Sequence, residues 1–108
     1  NPGIRSRFPI CIDFPNYSLE ELINIADLML EERQYYLDRA AREEMKLIVE
    51  LQTKQHLHSG NARLVRNLVE RSIRLQAVRL VKKGGQTTRE ELMMITRRDV
   101  LGARDSII

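Results

Sequence analysis

One short strand-like run stands alone in a chain that is otherwise patterned for helices. Residues 9–14, Pro-Ile-Cys-Ile-Asp-Phe, are mainly apolar and are followed by Pro15, a pattern typical of one strand of about five residues. A single strand leaves backbone donors and acceptors unpaired, so its partners must lie outside this chain or in a neighbouring copy. The sequence therefore predicts an all-α fold with one orphan β-strand.

Helical signals fill most of the remaining chain. Ser18-Leu-Glu-Glu21 is a capping box that opens a first helix, and a second amphipathic helix begins near Asp38. Asn61 is expected to cap the third and longest helix, which runs to about Lys83, where Gly84-Gly85 ends it. Its predicted apolar stripe is Val65, Val69, Ile73, Ala77 and Leu80.

The last third of the chain carries a second capping signature, Thr88-Arg-Glu-Glu91, before a short apolar helix. Thr96 is expected to cap one further turn through Val100 and Leu101. Helices joined by short loops normally pack around one core. We therefore expect a four-helix unit over residues 18–101, preceded by a loop and strand over 1–17 and followed by a frayed tail over 102–108.

Composition limits the chain to one small domain. It has 108 residues, and its single cysteine, Cys11, excludes an internal disulfide and fits a reducing cytoplasm. No apolar run is long enough to span a membrane, and the start Asn1-Pro2-Gly3 lacks a signal-peptide core, which favours an internal piece of a longer protein.

Charge is divided unevenly along the chain. Residues 1–58 hold seven basic and ten acidic side chains, whereas 59–108 hold eleven basic and five acidic ones. The second half, at +6, is therefore an Arg-rich region suited to anions, although the overall charge of +3 does not by itself indicate nucleic acid.

Several kinds of site are excluded by the residues present. The sequence has no G-x-x-x-x-G-K-[ST] loop to hold a triphosphate, so this chain is not expected to act as an ATPase alone. His56 and His58 are two residues apart and have no nearby carboxylate or thiol to complete a metal shell, so we predict no metal site.

Two arginine clusters are candidate anion sites. Arg5 and Arg7 lie in a short loop before the predicted strand, where a guanidinium group could stabilise a transferring phosphoryl group. Arg63 lies in the first turn of the third helix, where free N–H groups also favour an anion, and Arg66 follows it. The alternatives are two solvated arginines in the first case and an ordinary wet helix face, with Arg66 paired to Glu70, in the second.

Three blocks of sequence together resemble a known family. They are Asn1-Pro-Gly-Ile-Arg-Ser-Arg-Phe-Pro9, Ile12-Asp-Phe-Pro-Asn-Tyr-Ser-Leu-Glu-Glu-Leu22 and Gly60-Asn-Ala-Arg-Leu-Val-Arg-Asn-Leu-Val-Glu-Arg71. Their prolines, glycines and arginines are similar, in order, to the C-terminal part of an AAA+ ATPase. The branch is the one that contains stage V sporulation protein K and the red-type Rubisco activase (CbbX).

This resemblance implies roles for individual residues. Arg7, in Ser6-Arg7-Phe8, matches the arginine finger that reaches ATP in the adjacent subunit, and Arg5 is the less favoured finger. Arg63, in Gly60-Asn-Ala-Arg63, matches the sensor-2 arginine that contacts nucleotide in its own subunit, with Arg66 as runner-up.

The resemblance also implies an architecture and partners. Residues 9–14 would be the last strand of an AAA+ core, and the helices from Ser18 onward would be its lid. The parent enzyme would use ATP and Mg²⁺ in a bacterial cytoplasmic ring, expected to be a hexamer, to remodel a client protein. The fragment alone would need no cofactor.

A second class of function remains open at this point, which is a stand-alone helical module that binds protein or DNA through the basic half. The basic residues share a helix with Glu70 and a broad apolar surface, and no helix-turn-helix pattern is present. These features argue against nucleic acid.

Overall fold

The structure is a computed structural model that describes residues 17–55 and 61–107. Five helices and two short strands make up the described part: α1 (Leu19–Glu32), β1 (Tyr36–Leu37), α2 (Arg39–Gln55), α3 (Asn61–Lys83), α4 (Arg89–Met93), β2 (Met94–Ile95) and α5 (Arg97–Ile107). The predicted all-α fold is confirmed. The strand predicted over residues 9–14 lies outside the described residues.

Both predicted capping boxes are formed. At the start of α1, Glu21 donates its backbone N–H to the Ser18 hydroxyl (3.1 Å), and Ser18 donates its own N–H to the Glu21 carboxylate (2.8 Å). Thr88 and Glu91 repeat this exchange at α4, over 2.9 and 3.1 Å. Each box satisfies helix N–H groups that have no partner within the helix.

The ends of α2 and α3 also follow their local sequence. The Asp38 carboxylate accepts a 2.7 Å hydrogen bond from the Ala41 N–H and so caps α2, as the prediction of a helix from about Asp38 requires. Gly84 and Gly85 follow α3 with φ of 69° and 71°. Because this left-handed region favours glycine, the pair ends α3 where it was predicted to end.

A two-residue parallel strand pair was not predicted. Tyr36 lies opposite Met94 and Leu37 opposite Ile95, and the Asp38 N–H extends the pairing by donating to the Ile95 carbonyl (3.0 Å). The pair ties the connection between α1 and α2 to the connection between α4 and α5, and Ile95 is completely buried at this junction.

The core is a layer of aliphatic side chains between α3 and the other long helices. α3 packs along both α1 and α5, and α2 packs against α1 and α5. The fully buried large side chains include Leu22, Ile23, Leu30, Met45, Val49, Val65, Leu68, Val69, Ile95 and Val100. Burying each one contributes about 1.5–3 kcal/mol relative to leaving it in water.

The buried stripe of α3 differs in part from the predicted one. Val65, Val69 and Leu80 are buried as predicted, but Ala77 is exposed. Ser72 and Gln76 are buried in its place, because the buried line of α3 runs through Leu68, one residue before Val69, and includes polar side chains.

Gln76 is buried because its side-chain amide forms hydrogen bonds inside the fold. Its side-chain amide donates to the backbone carbonyls of Glu91 (3.0 Å), Leu92 (2.8 Å) and Met94 (3.4 Å). The Glu91 and Leu92 carbonyls lie in the last turn of α4 and have no next turn of that helix to pair with, and the Met94 carbonyl lies in β2. One side chain on α3 therefore holds the segment from α4 to β2 in place.

α5 is longer than predicted. It continues through Ile107, where the sequence analysis expected one turn and a frayed tail from residue 102. Ala103 is completely buried, and a Cβ placed on Gly102 would lie only 2.8 Å from the Leu75 side chain. The expectation of fraying was wrong over 102–107 because this close packing against α3 stabilises two further turns.

Asp99 anchors the start of α5. Its side chain is 1% exposed and accepts hydrogen bonds from the Thr96 N–H (2.9 Å), the Thr96 hydroxyl (3.1 Å) and the Arg79 guanidinium (2.9 and 3.1 Å). The pairing with Asp99 raises the pKa of Arg79. A neighbouring ion pair between Arg97 and Glu44 (3.1 Å) joins the same helix start to α2.

Replacing Asp99 should destabilise the fold strongly. We expect Asp99→Ala to lower the free energy of unfolding by about 2–3 kcal/mol, since it removes charge-assisted hydrogen bonds and leaves Arg79 partly buried without its partner. Asp105→Ala, which removes the exposed ion pair with Arg104, is the matched control. It should change the free energy of unfolding by less than about 0.5 kcal/mol. Urea denaturation would measure both, and similar small losses for both variants would contradict this role of Asp99.

Glu91 should make stability depend on pH in the acid range. Its carboxylate accepts a 2.5 Å hydrogen bond from the Lys83 ammonium, and this bond, with the Thr88 N–H, lowers the pKa of Glu91 from 4.5 to about 2. A lowered pKa in the folded state contributes stability that is present above about pH 4.5 and is lost as the pH falls towards 2.

The variant Glu91→Gln isolates this effect because glutamine keeps the capping geometry but cannot titrate. Thermal unfolding of both proteins should show wild type as the more stable at pH 6 and the difference disappearing near pH 2. A difference that stays constant across this range would show that the charge of Glu91 does not contribute to stability.

Candidate functional site

The first turn of α3 contains Arg63, the residue for which the sequence predicts contact with a nucleotide phosphate. α3 begins at Asn61, so Arg63 is its third residue and Arg66 lies one turn further along. The N–H groups of a first turn have no carbonyl partner within the helix and carry the positive end of the helix dipole. Arg63 and Arg66 therefore add full charges to a region of the helix that already favours an anion.

Both arginines point their charges into solvent. Arg63 and Arg66 are exposed, and neither has an ion pair or hydrogen bond within the part of the chain that the structure describes. Residues three apart lie on the same side of a helix, so the two guanidinium groups can reach one ligand. Guanidinium groups bind phosphate oxygens through two parallel N–H groups, which matches an anion of this class.

The pairing expected for an ordinary wet helix face is not formed. Glu70, four residues after Arg66, is 3.7 Å from the Arg33 guanidinium at the end of α1. Glu70 therefore helps to hold α1 on α3 and does not neutralise Arg66. The exposed arginines Arg63, Arg66 and Arg74 do lie along one face of α3, as that alternative predicts.

The other predicted site residues cannot be placed by the structure. Arg5 and Arg7, the candidate fingers, lie outside the described residues, and so do His56 and His58, which the sequence did not predict to bind metal. Within residues 17–55 and 61–107, no three His, Cys, Asp or Glu side chains cluster as metal ligands.

A second polar region, between α3 and α5, was missed by the sequence analysis. A groove of about 640 Å³ is lined by Leu75, Val78, Arg79, Lys82, Lys83, Arg98, Asp99 and Gly102. The sequence signals were the basic pairs Lys82-Lys83 and Arg97-Arg98. Only the packing of α5 against the end of α3 shows that members of both pairs border one groove.

Comparison with known proteins identifies relatives for most of the chain. The sequence profile described as "AAA lid domain" matches residues 18–106. Stage V sporulation protein K of Bacillus subtilis is 44% identical over 93% of this chain and 31% of its own length. Protein CbxX of Cupriavidus necator is 40% identical over 96% of the chain and 33% of its own length.

A further relative is named as a protein of a secretion system. The ESX-3 secretion system protein EccA3 of Mycobacterium leprae is 39% identical over 93% of this chain and 18% of its own length. The chain thus spans about a third or less of each of these relatives. Among the described residues, no helix is both long and apolar enough to cross a membrane.

Proposed function

This chain belongs to the AAA lid domain family, and we propose that it is the C-terminal lid through which an AAA+ ATPase senses its bound nucleotide. The observation that supports this most directly is Arg63, an exposed charge in the first turn of the longest helix, with no ion-pair partner in the described part of the chain. Arg63 would contact nucleotide phosphate in its own subunit, and Arg66 is the second candidate. The parent enzyme would supply the ATP and Mg²⁺ site.

The packing of α3 suggests how a movement caused by phosphate at Arg63 would reach the other helices. A phosphate drawn to Arg63 pulls on a helix that is joined to α1 through Glu70, to α4 through Gln76 and to α5 through Arg79. The lid would therefore move as one body when nucleotide binds or is hydrolysed. In a homo-oligomeric ring in the bacterial cytoplasm, expected to be a hexamer, this motion would remodel a client protein.

Arg7 would complete the site of the neighbouring subunit. The family resemblance implies that Arg7 is the arginine finger, which would stabilise charge on the γ-phosphate of ATP bound by the neighbouring subunit. This assignment places Arg7 and Arg63 of one chain at two different nucleotide sites, and that difference can be tested.

The chain by itself should not bind ATP tightly or hydrolyse it. One or two arginines provide point contacts, whereas tight binding of a triphosphate requires a loop of backbone donors and Mg²⁺ ligands that this sequence does not contain. Isothermal titration calorimetry with ATP and Mg²⁺ would measure this. Micromolar binding together with turnover would contradict the proposal that the chain is a lid.

In the whole protein, loss of Arg63 should impair both binding and hydrolysis. We expect Arg63→Ala to lower kcat/KM by about tenfold or more, since a charge-assisted hydrogen bond to phosphate is lost. Arg74→Ala removes an equally exposed arginine from the same helix and should change it by less than about twofold. A larger loss of kcat/KM for Arg66→Ala than for Arg63→Ala would assign the nucleotide contact to Arg66. No loss for either variant would contradict the proposed contact.

Mixing mutant subunits should separate the two arginines. Arg7→Ala subunits should bind nucleotide but lose hydrolysis by a factor on the order of 10³, and subunits with a disabled phosphate-binding loop but an intact Arg7 should restore part of it. Arg63→Ala subunits should be rescued much less by the same mixing, because their own sites stay defective. Equal rescue of both arginine variants would contradict the assignment of Arg7 to the neighbouring subunit's site and of Arg63 to the site of its own subunit.

A further inference from the structure

The groove between α3 and α5 has a charge that folding alone does not explain. Four of its lining residues are basic, and two of them, Arg79 and Lys83, are paired with Asp99 and Glu91. Lys82 and Arg98 are exposed and have no ion pair or hydrogen bond elsewhere in the described ranges. The groove thus presents two free cations at its rim.

Arg98 is the more informative of the two. It is the second residue of α5, where the positive end of the helix dipole disfavours a cation. Its neighbour Arg97 offsets the same disadvantage by pairing with Glu44. Arg98 has no such compensation among the described residues, so its position is better explained by a ligand than by stability.

The floor of the groove is apolar. Leu75 and Gly102 meet in close contact, and Val78 is 42% exposed beside them. Aliphatic surface flanked by free cations is complementary to a segment that has both apolar and carboxylate side chains.

A free phosphate and a nucleic acid fit this groove less well than a protein segment does. A compact phosphate needs rigid, convergent donors, but the one firmly held guanidinium, Arg79, already donates to both oxygens of Asp99. Nucleic acid bases need a stacking surface, and none of the described residues that line the groove is aromatic. We infer that this groove, formed by Leu75, Val78, Lys82 and Arg98, binds an acidic amphipathic segment of a partner protein.

The groove is also separate from the nucleotide end of the helix. Leu75 lies twelve residues beyond Arg63, which is about 18 Å along α3 at 1.5 Å per residue. A partner could therefore occupy the groove whatever the state of the nucleotide site. The inference does not require the proposed role of Arg63, and each can fail without the other.

A binding experiment with the 108-residue chain tests the inference. The probe is a fluorescein-labelled peptide of about 15 residues with leucine at helical spacing and glutamate at most other positions. Fluorescence anisotropy should show binding with a Kd on the order of 10 µM. Polyglutamate of equal charge, and single-stranded DNA of equal charge, should each bind at least about tenfold more weakly if the apolar floor contributes.

Variants locate the binding to the groove. Lys82→Glu combined with Arg98→Glu should weaken peptide binding by about tenfold or more, and Val78→Ser by about threefold. Arg74→Glu makes the same charge change on α3 outside the groove lining and should alter binding by less than about twofold. If the double Glu variant does not unfold cooperatively, Lys82→Gln with Arg98→Gln replaces it, with the same direction expected.

Three results would overturn the inference. They are no peptide binding up to about 1 mM, equal binding of polyglutamate or DNA, and equal losses in the groove variant and the Arg74→Glu control. The second result would assign the basic surface to general attraction of polyanions.

Discussion

The packing of α3 against α1 and α5 is the interaction on which the rest of this structure depends. With only a two-residue strand pair in the described part of the chain, no sheet is available there to organise the helices. Val65, Leu68 and Val69 are completely buried on α3, and its later turns are held by Gln76, Arg79 and Leu80. Every other long helix is positioned directly or indirectly by this one.

The two sites that we propose lie at opposite ends of α3. At 1.5 Å per residue its 23 residues span about 35 Å. The proposed nucleotide contact lies in its first turn, and the groove with α5 lies along its last two turns. Polar contacts join α3 to α1, α4 and α5 along this length, and we propose that they couple the two ends.

Local features of the sequence predicted local features of the structure well. The Ser18 and Thr88 capping boxes and the Gly84-Gly85 stop each depend on residues within four positions of one another, so their effects could be recognised in the chain itself. The bounds of α3 followed from Asn61 and Gly84-Gly85 for the same reason, whereas its apolar periodicity predicted only part of the buried face.

What could not be predicted depends on contacts between distant residues. Tyr36 and Met94 pair across more than fifty residues, and two-residue strands leave no alternating pattern to detect. α5 extends to Ile107 because Gly102 allows it to approach Leu75, a contact absent from either local sequence. Likewise Arg63 could be proposed from its place in a motif, whereas the groove with Lys82 and Arg98 required the positions of both helices.

We propose that Arg63, at the start of α3, contacts nucleotide in its own subunit. An experimental structure of the whole protein with a non-hydrolysable ATP analogue would measure this most directly, as the distance from the Arg63 guanidinium to the nearest phosphate oxygen. We expect a hydrogen bond of about 2.7–3.2 Å from the Arg63 guanidinium to nucleotide bound by the same chain. An Arg63 side chain in solvent or bound to the neighbouring subunit's nucleotide would contradict it.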